Sequence, residues 1–274
     1  MIKYKTINFS NYSSFKIGAP LHVALITPQT TQNEFAQLQE HYLIGGCNNI
    51  LIGDNPPPLM MLDKSYDFIE HTNDTLRVGA ATPSGKLASY CKKHNIADFE
   101  FISHLPGKMG GLLKMNAGLK EYEICNNLHT LTTTRNTYTK EQLQCNYRTT
   151  SINEIILEAT FNIQKGYDPK KVDFFKKMRS NQPSTPSAGS CFKNPPNDYA
   201  GRLIEAVGLK GLRVEGMEFS TQHANFLVNA DNGTYKGAIY LIKEAQKRVF
   251  EVFGIKLELE IEILDQEYLK ALKA

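Results

Sequence analysis

The stretch Pro186-Ser187-Ala188-Gly189-Ser190-Cys191-Phe192-Lys193-Asn194-Pro195 sets hydroxyls, a thiol, a cation and an amide between two prolines. Glycine and serine let backbone approach a ligand closely. Lysine and asparagine supply donors, and asparagine also accepts. The prolines stiffen both ends. This is the composition of a loop that holds a ligand; a plain surface turn has little use for Phe192. Ser190 lacks the Gly-x-Ser-x-Gly surroundings of a hydrolase nucleophile. A proton-donor serine needs less: a hydroxyl held at the right atom and a way to stabilise or relay its charge. Cys191 is a rival on paper, but a residue one step along a loop points elsewhere.

Other segments carry chemistry too. Leu43-Ile44-Gly45-Gly46-Cys47-Asn48-Asn49-Ile50-Leu51-Ile52 joins two apolar runs through paired glycines, whose N–H groups can cradle a pyrophosphate. A tight turn explains the same residues, and they match neither GxGxxG nor GxxxxGK[ST]. Leu105-Pro106-Gly107-Lys108-Met109-Gly110-Gly111, then Met115-Asn116-Ala117-Gly118, again reads as backbone approached by a ligand. In Asn146-Tyr147-Arg148-Thr149-Thr150 a permanently charged guanidinium can pair bidentately with a carboxylate, with an ordinary surface arginine as the plainer alternative. His223-Ala224-Asn225 offers an imidazole, which can equally be a structural hydrogen-bonder, and an amide. Near the end, Ile255, Leu257, Leu259, Ile261 and Ile263 alternate with Lys256, Glu258, Glu260 and Glu262, which predicts a strand with three carboxylates on one face. Periodicity does not choose among the three.

The Ser190 loop resembles the Pro-Ser-Ala-Gly-Ser-x-Phe-Lys-Asn-Pro signature of UDP-N-acetylenolpyruvoylglucosamine reductases. Gly201-Arg202-Leu203-Ile204-Glu205-Ala206-Val207-Gly208-Leu209-Lys210-Gly211 and His223–Asn229 are similar to the blocks that follow it, and the resemblance runs from about Ser13 to Leu264. It implies an α+β protein: a two-subdomain FAD-binding fold of the vanillyl-alcohol-oxidase type, residues 1–58 and 59–166, plus a C-terminal α+β substrate domain, 167–274. It further implies the compact subtype that lacks an extra substrate-capping insertion, with FAD and NADPH as cofactors. The implied reaction reduces UDP-N-acetylglucosamine enolpyruvate to UDP-N-acetylmuramate in peptidoglycan precursor synthesis. By the same resemblance FAD is held by Gly45, Gly46, Cys47, Asn48, Asn49, Pro106, Gly107, Lys108, Gly110, Gly111 and Asn116. Arg148 faces the substrate carboxylate, Ser190 protonates the substrate carbon and Glu260 assists. Tyr147, Lys193, Asn194, His223 and Asn225 lie near the UDP-sugar. The chain departs from the family pattern at Cys47 (glycine), Asn48 (serine), Lys108 (a small hydroxyl residue), Thr150 (serine) and Glu262 (often arginine). A Cβ at position 47 narrows the room for a phosphate, and Lys108 turns a hydroxyl contact into a charged one.

These residues need elements to hold them. Strand and helix alternate early: Leu76–Ala80 is strand-like, and Thr82-Pro83 starts a helix with Leu87, Ala88 and Cys91 as its stripe. The threonine-rich run 128–147 favours pleated surfaces, and Leu157, Ala159, Phe161 and Ile163 alternate as in a half-buried strand. Asp168-Pro169 opens a helix that leads into the last domain. Residues 234–253 form a longer helix, with Leu241, Ile242, Ala245, Val249 and Val252 on one face, ended by Gly254. The basic cluster Lys170, Lys171, Lys176, Lys177 and Arg179 reads as a solvated helix face or as the surroundings of a phosphate ligand.

A chain of 274 residues, 41% hydrophobic and 22% charged, with net charge +3, suits a soluble protein with no nucleic-acid partner. Five cysteines without metal spacing predict reduced thiols and no metal. No signal-like or membrane-length apolar run occurs, so a cytoplasmic monomer is expected. An oxidase of the same fold and a non-catalytic nucleotide-binding protein are the alternative functions.

Overall fold

The computed structural model describes residues 1–272. Helix and strand are mixed, and the chain divides into two compact units. One comprises Met1–Lys5, Val23–Gly46 and Leu59–Ser180; the other comprises Thr6–His22, Cys47–Pro58 and the chain from Asn181 onward. The sequence reading, by contrast, set three consecutive segments.

The first unit contains a parallel arrangement in which Leu59–Leu62 pairs with Val23–Ile26 on one side and with Tyr42–Leu43 on the other. Leu59–Leu62 is buried along its whole length, as a central parallel strand must be. A five-stranded antiparallel sheet follows the order Thr137–Thr139, Leu128–Thr133, Ile156–Asn162, Thr75–Gly79, Ile69–His71. Leu76, Val78, Leu131, Ala159 and Phe161 bury its inner face. Ile156 is buried in place of the expected Leu157, because the register slips between Thr132 and Thr133 and shifts that end of the strand by one residue. Helix Ser84–Lys93 buries Leu87, Ala88 and Cys91, the stripe expected from the sequence.

Helix Pro169–Met178 starts as its sequence predicts: Asp168 accepts from the Lys170 N–H, and proline occupies the first turn. It belongs to the first unit, however, and not to a domain that opens at 167. Phe175 is 1% exposed and meets Tyr122 and Phe101 edge-on, with ring centroids 4.9 and 6.3 Å apart. The Asp168 N–H donates to the Glu100 carboxylate at 2.8 Å. One buried phenylalanine thus moves the boundary to residue 181.

In the second unit an antiparallel sheet runs Ser187–Ser190, Phe226–Asn229, Met217–Phe219, Arg213–Val214. Helix Tyr235–Phe253 is capped by Thr234, whose hydroxyl accepts from the Gly237 N–H at 3.0 Å, and ends at Gly254 with φ +67°. Ala238, Leu241, Ile242, Ala245 and Val249 are buried in one core with Met217, Phe219 and Leu203. Val252, placed on this face by periodicity, is 64% exposed, because the last turn runs beyond the packed stretch.

The final alternating run is not one strand. Leu259 bridges to Phe192, the chain bends at Glu260 and Ile261, and only Glu262–Leu264 is extended, pairing in parallel with Ile50–Ile52. Glu258, Glu260 and Glu262 therefore do not share one strand face. Leu257, Ile261, Ile263 and Leu264 are buried all the same. The alternation records burial, while a change of hydrogen-bonding partner sets the backbone.

Replacing Phe175 with alanine is expected to destabilise the first unit by about 3–5 kcal/mol, the usual range for removing a fully buried phenylalanine. Urea denaturation followed by far-UV circular dichroism measures this. A loss below about 1 kcal/mol would mean that the helix is not part of that unit's core.

Candidate active site

In the first unit, the loop before helix Met109–Lys114 is held by backbone contacts. Ser84 N–H donates to Gly107 O at 2.9 Å, Met109 N–H to Thr82 O at 2.9 Å and Gly110 N–H to Ala80 O at 2.8 Å. Gly110 is there for close approach, since a Cβ would come within 3.2 Å of the Ala80 Cβ. A Cβ at Gly111 would meet nothing within 4 Å, so that backbone face is open. Pro106 is exposed, and Gly107 has φ +141°. Lys108 occupies the helix cap, and its Cβ lies 3.9 Å from where a Gly45 Cβ would stand. The fold thus brings Gly45 of one glycine-rich stretch against Lys108 of the other.

Tyr147 and Arg148 form the turn of a hairpin whose arms are Cys145–Asn146 and Thr149–Thr150. Arg148 has φ +58°, a conformation disfavoured for a residue with a Cβ. Its guanidinium lies over the Tyr147 ring, 5.0 Å from the centroid, and donates to Gly118 O at 3.4 Å. Thr150 is buried and its hydroxyl donates to Lys114 O at 3.1 Å, so the residue that replaces serine ties the hairpin to the end of helix Met109–Lys114. Asn116 is fully buried with φ +42°. Its amide donates to the Glu123 carboxylate at 2.7 Å and to Asn146 O at 3.3 Å, while its oxygen accepts from Cys125 N–H at 3.3 Å. The Asn116 side chain braces the hairpin from inside the protein.

Arg179, read in the sequence only as one of the basic cluster, stands at the end of that helix; it is half-buried and its guanidinium donates to the His104 carbonyl. Burial, and then the positive charge of Arg148, hold its pKa below the usual arginine value. The available signal was its type: arginine among lysines suits a buried, geometrically fixed cation. The Nε2 atom of His104, just before the Pro106 loop, is buried without a hydrogen-bond partner among the described residues.

In the second unit, Ser187 pairs with Val228 and Ser190 with Phe226, so one extra residue bulges between them. Gly189 takes φ +81° there with open space around it, a need for conformation and not for room. The bulge leaves Ser190 half-buried, whereas Cys191 is fully enclosed and its thiol pKa is pushed up by burial and by the nearby Glu260. The rivalry between the two ends there, because Cys191 faces the core.

Asn225 holds this loop. Its amide oxygen accepts from Phe192 N–H at 3.0 Å, its amide nitrogen donates to Phe192 O at 2.8 Å, and its backbone carbonyl accepts from Cys191 N–H at 2.7 Å. Asn225, expected near the substrate, clamps the protein's own backbone here. Asn194 likewise accepts from Ala200 N–H at 3.1 Å, at the start of the next helix. Lys193 forms an ion pair with Glu258. The His223 ring accepts from Asn225 N–H at 3.3 Å and sits edge-on to Phe226; burial lowers its pKa, which keeps the imidazole neutral near pH 7.

Glu260 is fixed through its backbone. Its N–H donates to Cys191 O and its carbonyl accepts from the Asn49 amide, each at 2.9 Å. The Asn48 amide donates to the Ser14 hydroxyl at 2.6 Å, and Ser14 N–H donates to Cys47 O at 3.2 Å. Cys47, 2% exposed, adopts φ +51°. The chain keeps a glycine-like backbone at a position where it carries a Cβ.

The C-terminal domain model of UDP-N-acetylenolpyruvoylglucosamine reductase matches residues 181–264. A reductase of that name from Helicobacter hepaticus is 45% identical over 259 residues, covering 94% of this chain and 98% of its own. The Campylobacter jejuni (strain RM1221) reductase is 41% identical over 94% of this chain and 99% of its own. The crystal structure of the Thermus caldophilus enzyme superposes with a TM-score of 0.81 at 27% identity, covering 96% of this chain and 99% of that one. The expected α+β flavoprotein fold agrees with that likeness.

Substitutions at two positions test this geometry. Asn225→Ala leaves both polar groups of a buried peptide unpaired and is expected to cost about 2–4 kcal/mol in chemical denaturation. An unchanged midpoint would assign Asn225 to ligand contact alone. At position 47, glycine relieves the left-handed strain and alanine does not, while both lose the buried thiol. Cys47→Gly should therefore be about 1 kcal/mol more stable than Cys47→Ala, and the reverse order would exclude the positive φ.

Proposed function

We propose a division of labour among these residues from one premise: the chain belongs to the UDP-N-acetylenolpyruvoylglucosamine reductase family. It is an FAD- and NADPH-dependent oxidoreductase that reduces UDP-N-acetylglucosamine enolpyruvate to UDP-N-acetylmuramate in peptidoglycan precursor synthesis. This reading excludes the oxidase and the non-catalytic alternatives.

The residues of the first unit fit a flavin dinucleotide. Backbone is open at Gly111, Lys108 stands as a cation against Gly45, and the buried His104 nitrogen is unpartnered among the described residues. Gly45, Gly46, Gly107, Lys108 and Gly111 would hold the diphosphate, with Lys108 giving a charge where relatives use a hydroxyl. Pro106, Gly110 and Asn116 would shape that cradle, and by the family resemblance Cys47, Asn48 and Asn49 of the second unit also bind FAD. Bound FAD supplies the hydride chemistry, taking it from NADPH and giving it to the enolpyruvyl double bond.

Arg148 pairs with the enolpyruvyl carboxylate and steadies the charge that develops there, with Tyr147 stacked beneath it. Glu260 hydrogen-bonds the same developing charge. Ser190 donates the proton to the substrate carbon. Lys193, Asn194, His223 and Asn225 keep the Ser190 loop in place beside the UDP-sugar. One observation carries this reading: the Cys191 carbonyl receives the Glu260 N–H while Asn225 clamps the adjoining peptide, so the proposed donor and the proposed acid share one backbone network.

We also read the chain as a cytoplasmic monomer. Five free cysteines support a reducing compartment, and each unit closes a hydrophobic core of its own. Among the described residues no helix is long and apolar enough to cross a membrane. Light scattering after gel filtration tests the oligomeric state, and a dimer mass would replace the monomer.

Ser190→Ala should leave reduction of bound flavin by NADPH close to the parent rate. It should slow reoxidation by the enolpyruvyl sugar on the order of a hundredfold or more. Stopped-flow absorbance of the two half-reactions separates them. Equal loss in both, or a parent-like second half-reaction, removes Ser190 from the proton-donor role.

A further inference from the structure

We propose that His71 and His94 form a binding site for a divalent transition-metal ion on the first unit, with Tyr90 orienting one of the two ligands. His71 ends the edge strand Ile69–His71, and His94 follows helix Ser84–Lys93 as its C-terminal cap. Their ring centroids lie 5.0 Å apart. With metal–nitrogen bonds of ~2.0–2.1 Å a ring centroid stands ~3.2 Å from the ion, so two rings at a tetrahedral angle are ~5.2 Å apart. The pair is already close to that spacing.

Tyr90 holds the arrangement together. Its hydroxyl oxygen is 2.6 Å from His71 Nδ1. In the tautomer with its proton on Nδ1, His71 donates to that oxygen and keeps the Nε2 lone pair for an ion, the way metal-binding histidines are usually held. Tyr90 also stacks on His94, with centroids 4.2 Å apart and planes at 30°. Their four-residue spacing puts both on one side of the helix end. The His94 N–H donates to Tyr90 O at 3.0 Å, and Leu87, Ala88 and Cys91 anchor the helix beneath. One tyrosine thus meets both imidazoles before an ion arrives.

The surroundings select the ion. Imidazole suits zinc, nickel and copper, whereas magnesium prefers oxygen ligands. Lys165 Nζ donates to the His94 carbonyl at 3.1 Å, so an ammonium stands beside the site. It repels any cation, and only direct bonds to nitrogen hold one there. Among the described residues no group of three or more histidines, cysteines, aspartates or glutamates is placed to hold a metal. The site therefore has two protein ligands, with water in the remaining positions. The sequence expectation of no metal rested on cysteine spacing, which carries no trace of an imidazole pair drawn from two separate segments. A bound ion would join the end of the edge strand to the end of the helix.

The test titrates untagged full-length protein, loaded with its flavin, with nickel chloride by isothermal calorimetry, and repeats the titration with magnesium chloride. Expected is one nickel ion per chain and no magnesium binding. His71→Ala and His94→Ala should each raise the nickel Kd on the order of tenfold or more. Tyr90→Phe, which keeps the stacked ring and removes the hydroxyl, should raise it about tenfold, a usual cost of losing the group that orients a ligand. Cys145→Ser removes the part-exposed thiol and should leave the Kd unchanged. Circular dichroism establishes that each variant is folded. A millimolar Kd in the parent overturns the proposal, as does a parent-like Kd in either histidine variant. Equal binding of magnesium, or loss of nickel binding in Cys145→Ser, does the same. A parent-like Kd in Tyr90→Phe overturns the orienting role of Tyr90.

Discussion

The carbonyl of Cys191 organises the second unit. It accepts the Glu260 N–H at 2.9 Å, and the next N–H, that of Ile261, points at it from 3.5 Å. One acceptor facing two successive donors cannot continue a ladder, so the chain must turn. Beyond the turn Glu262 finds a new acceptor in Asn49 O, and a short parallel pairing begins. A segment that would otherwise be a regular strand is thus bent at Glu260, the carboxylate proposed to act in the reaction. The same peptide region is gripped from the other side by Asn225, whose amide reproduces a backbone's donor and acceptor for Phe192. Fully enclosed Phe192 anchors the loop into the core. Rigidity in the Ser190 loop comes from satisfied buried polar groups as much as from apolar packing, and such groups are costly to leave unmade.

Much of this was legible from the residues. Caps and stops follow local rules: Asp168-Pro169, Thr234 and Gly254 all mark helix ends where expected. Burial periodicity identified the inner face of helix 235–253 and the buried residues of the last run. The failures share one cause, that hydrogen-bond partners distant in sequence leave no local trace. Nothing in Glu258–Glu262 announces that Cys191 and Asn49 will compete for its N–H groups. Nothing near Lys165 announces that Phe175 will meet Tyr122 and Phe101. Arg179 was hidden by its lysine neighbours, although its burial beside Arg148 makes it different in kind. Among the candidate site residues, motifs picked out the positions, while the contacts that hold those side chains come only from the fold. Asn116, Asn194 and Asn225 look like ligand donors in a list and bond the protein's own backbone in the fold.

The departures at Cys47 and Lys108 take on physical content from the backbone. A left-handed cysteine costs roughly 1–2 kcal/mol relative to glycine, which its buried side chain offsets through packing. Ser14, bonded to both Cys47 O and the Asn48 amide, holds the strained turn closed. Asn48 therefore replaces serine with a longer side chain that reaches a neighbouring loop and so stiffens the turn. Lys108 lies in the other glycine-rich stretch yet faces Gly45. If Lys108 meets a phosphate as proposed, its point charge makes less directional demand than a hydroxyl does.

The break in the final run also sets the three glutamates apart. Glu258 is ion-paired with Lys193 and largely exposed, so its charge is neutralised at the surface. Glu262 opens the parallel strand on its exposed side. Glu260 is half-buried at the bend, with both its N–H and its carbonyl engaged. A carboxylic acid proposed to donate to a developing negative charge needs a backbone that does not move when that charge appears, because reorganisation would consume the stabilisation it offers. Glu260 has its backbone tied on both sides to segments that carry other candidate site residues, Cys191 beside Ser190 and Asn49 beside Asn48. The ordering of the site thus follows from where hydrogen bonds interrupt a strand, a feature that side-chain alternation along the sequence does not encode.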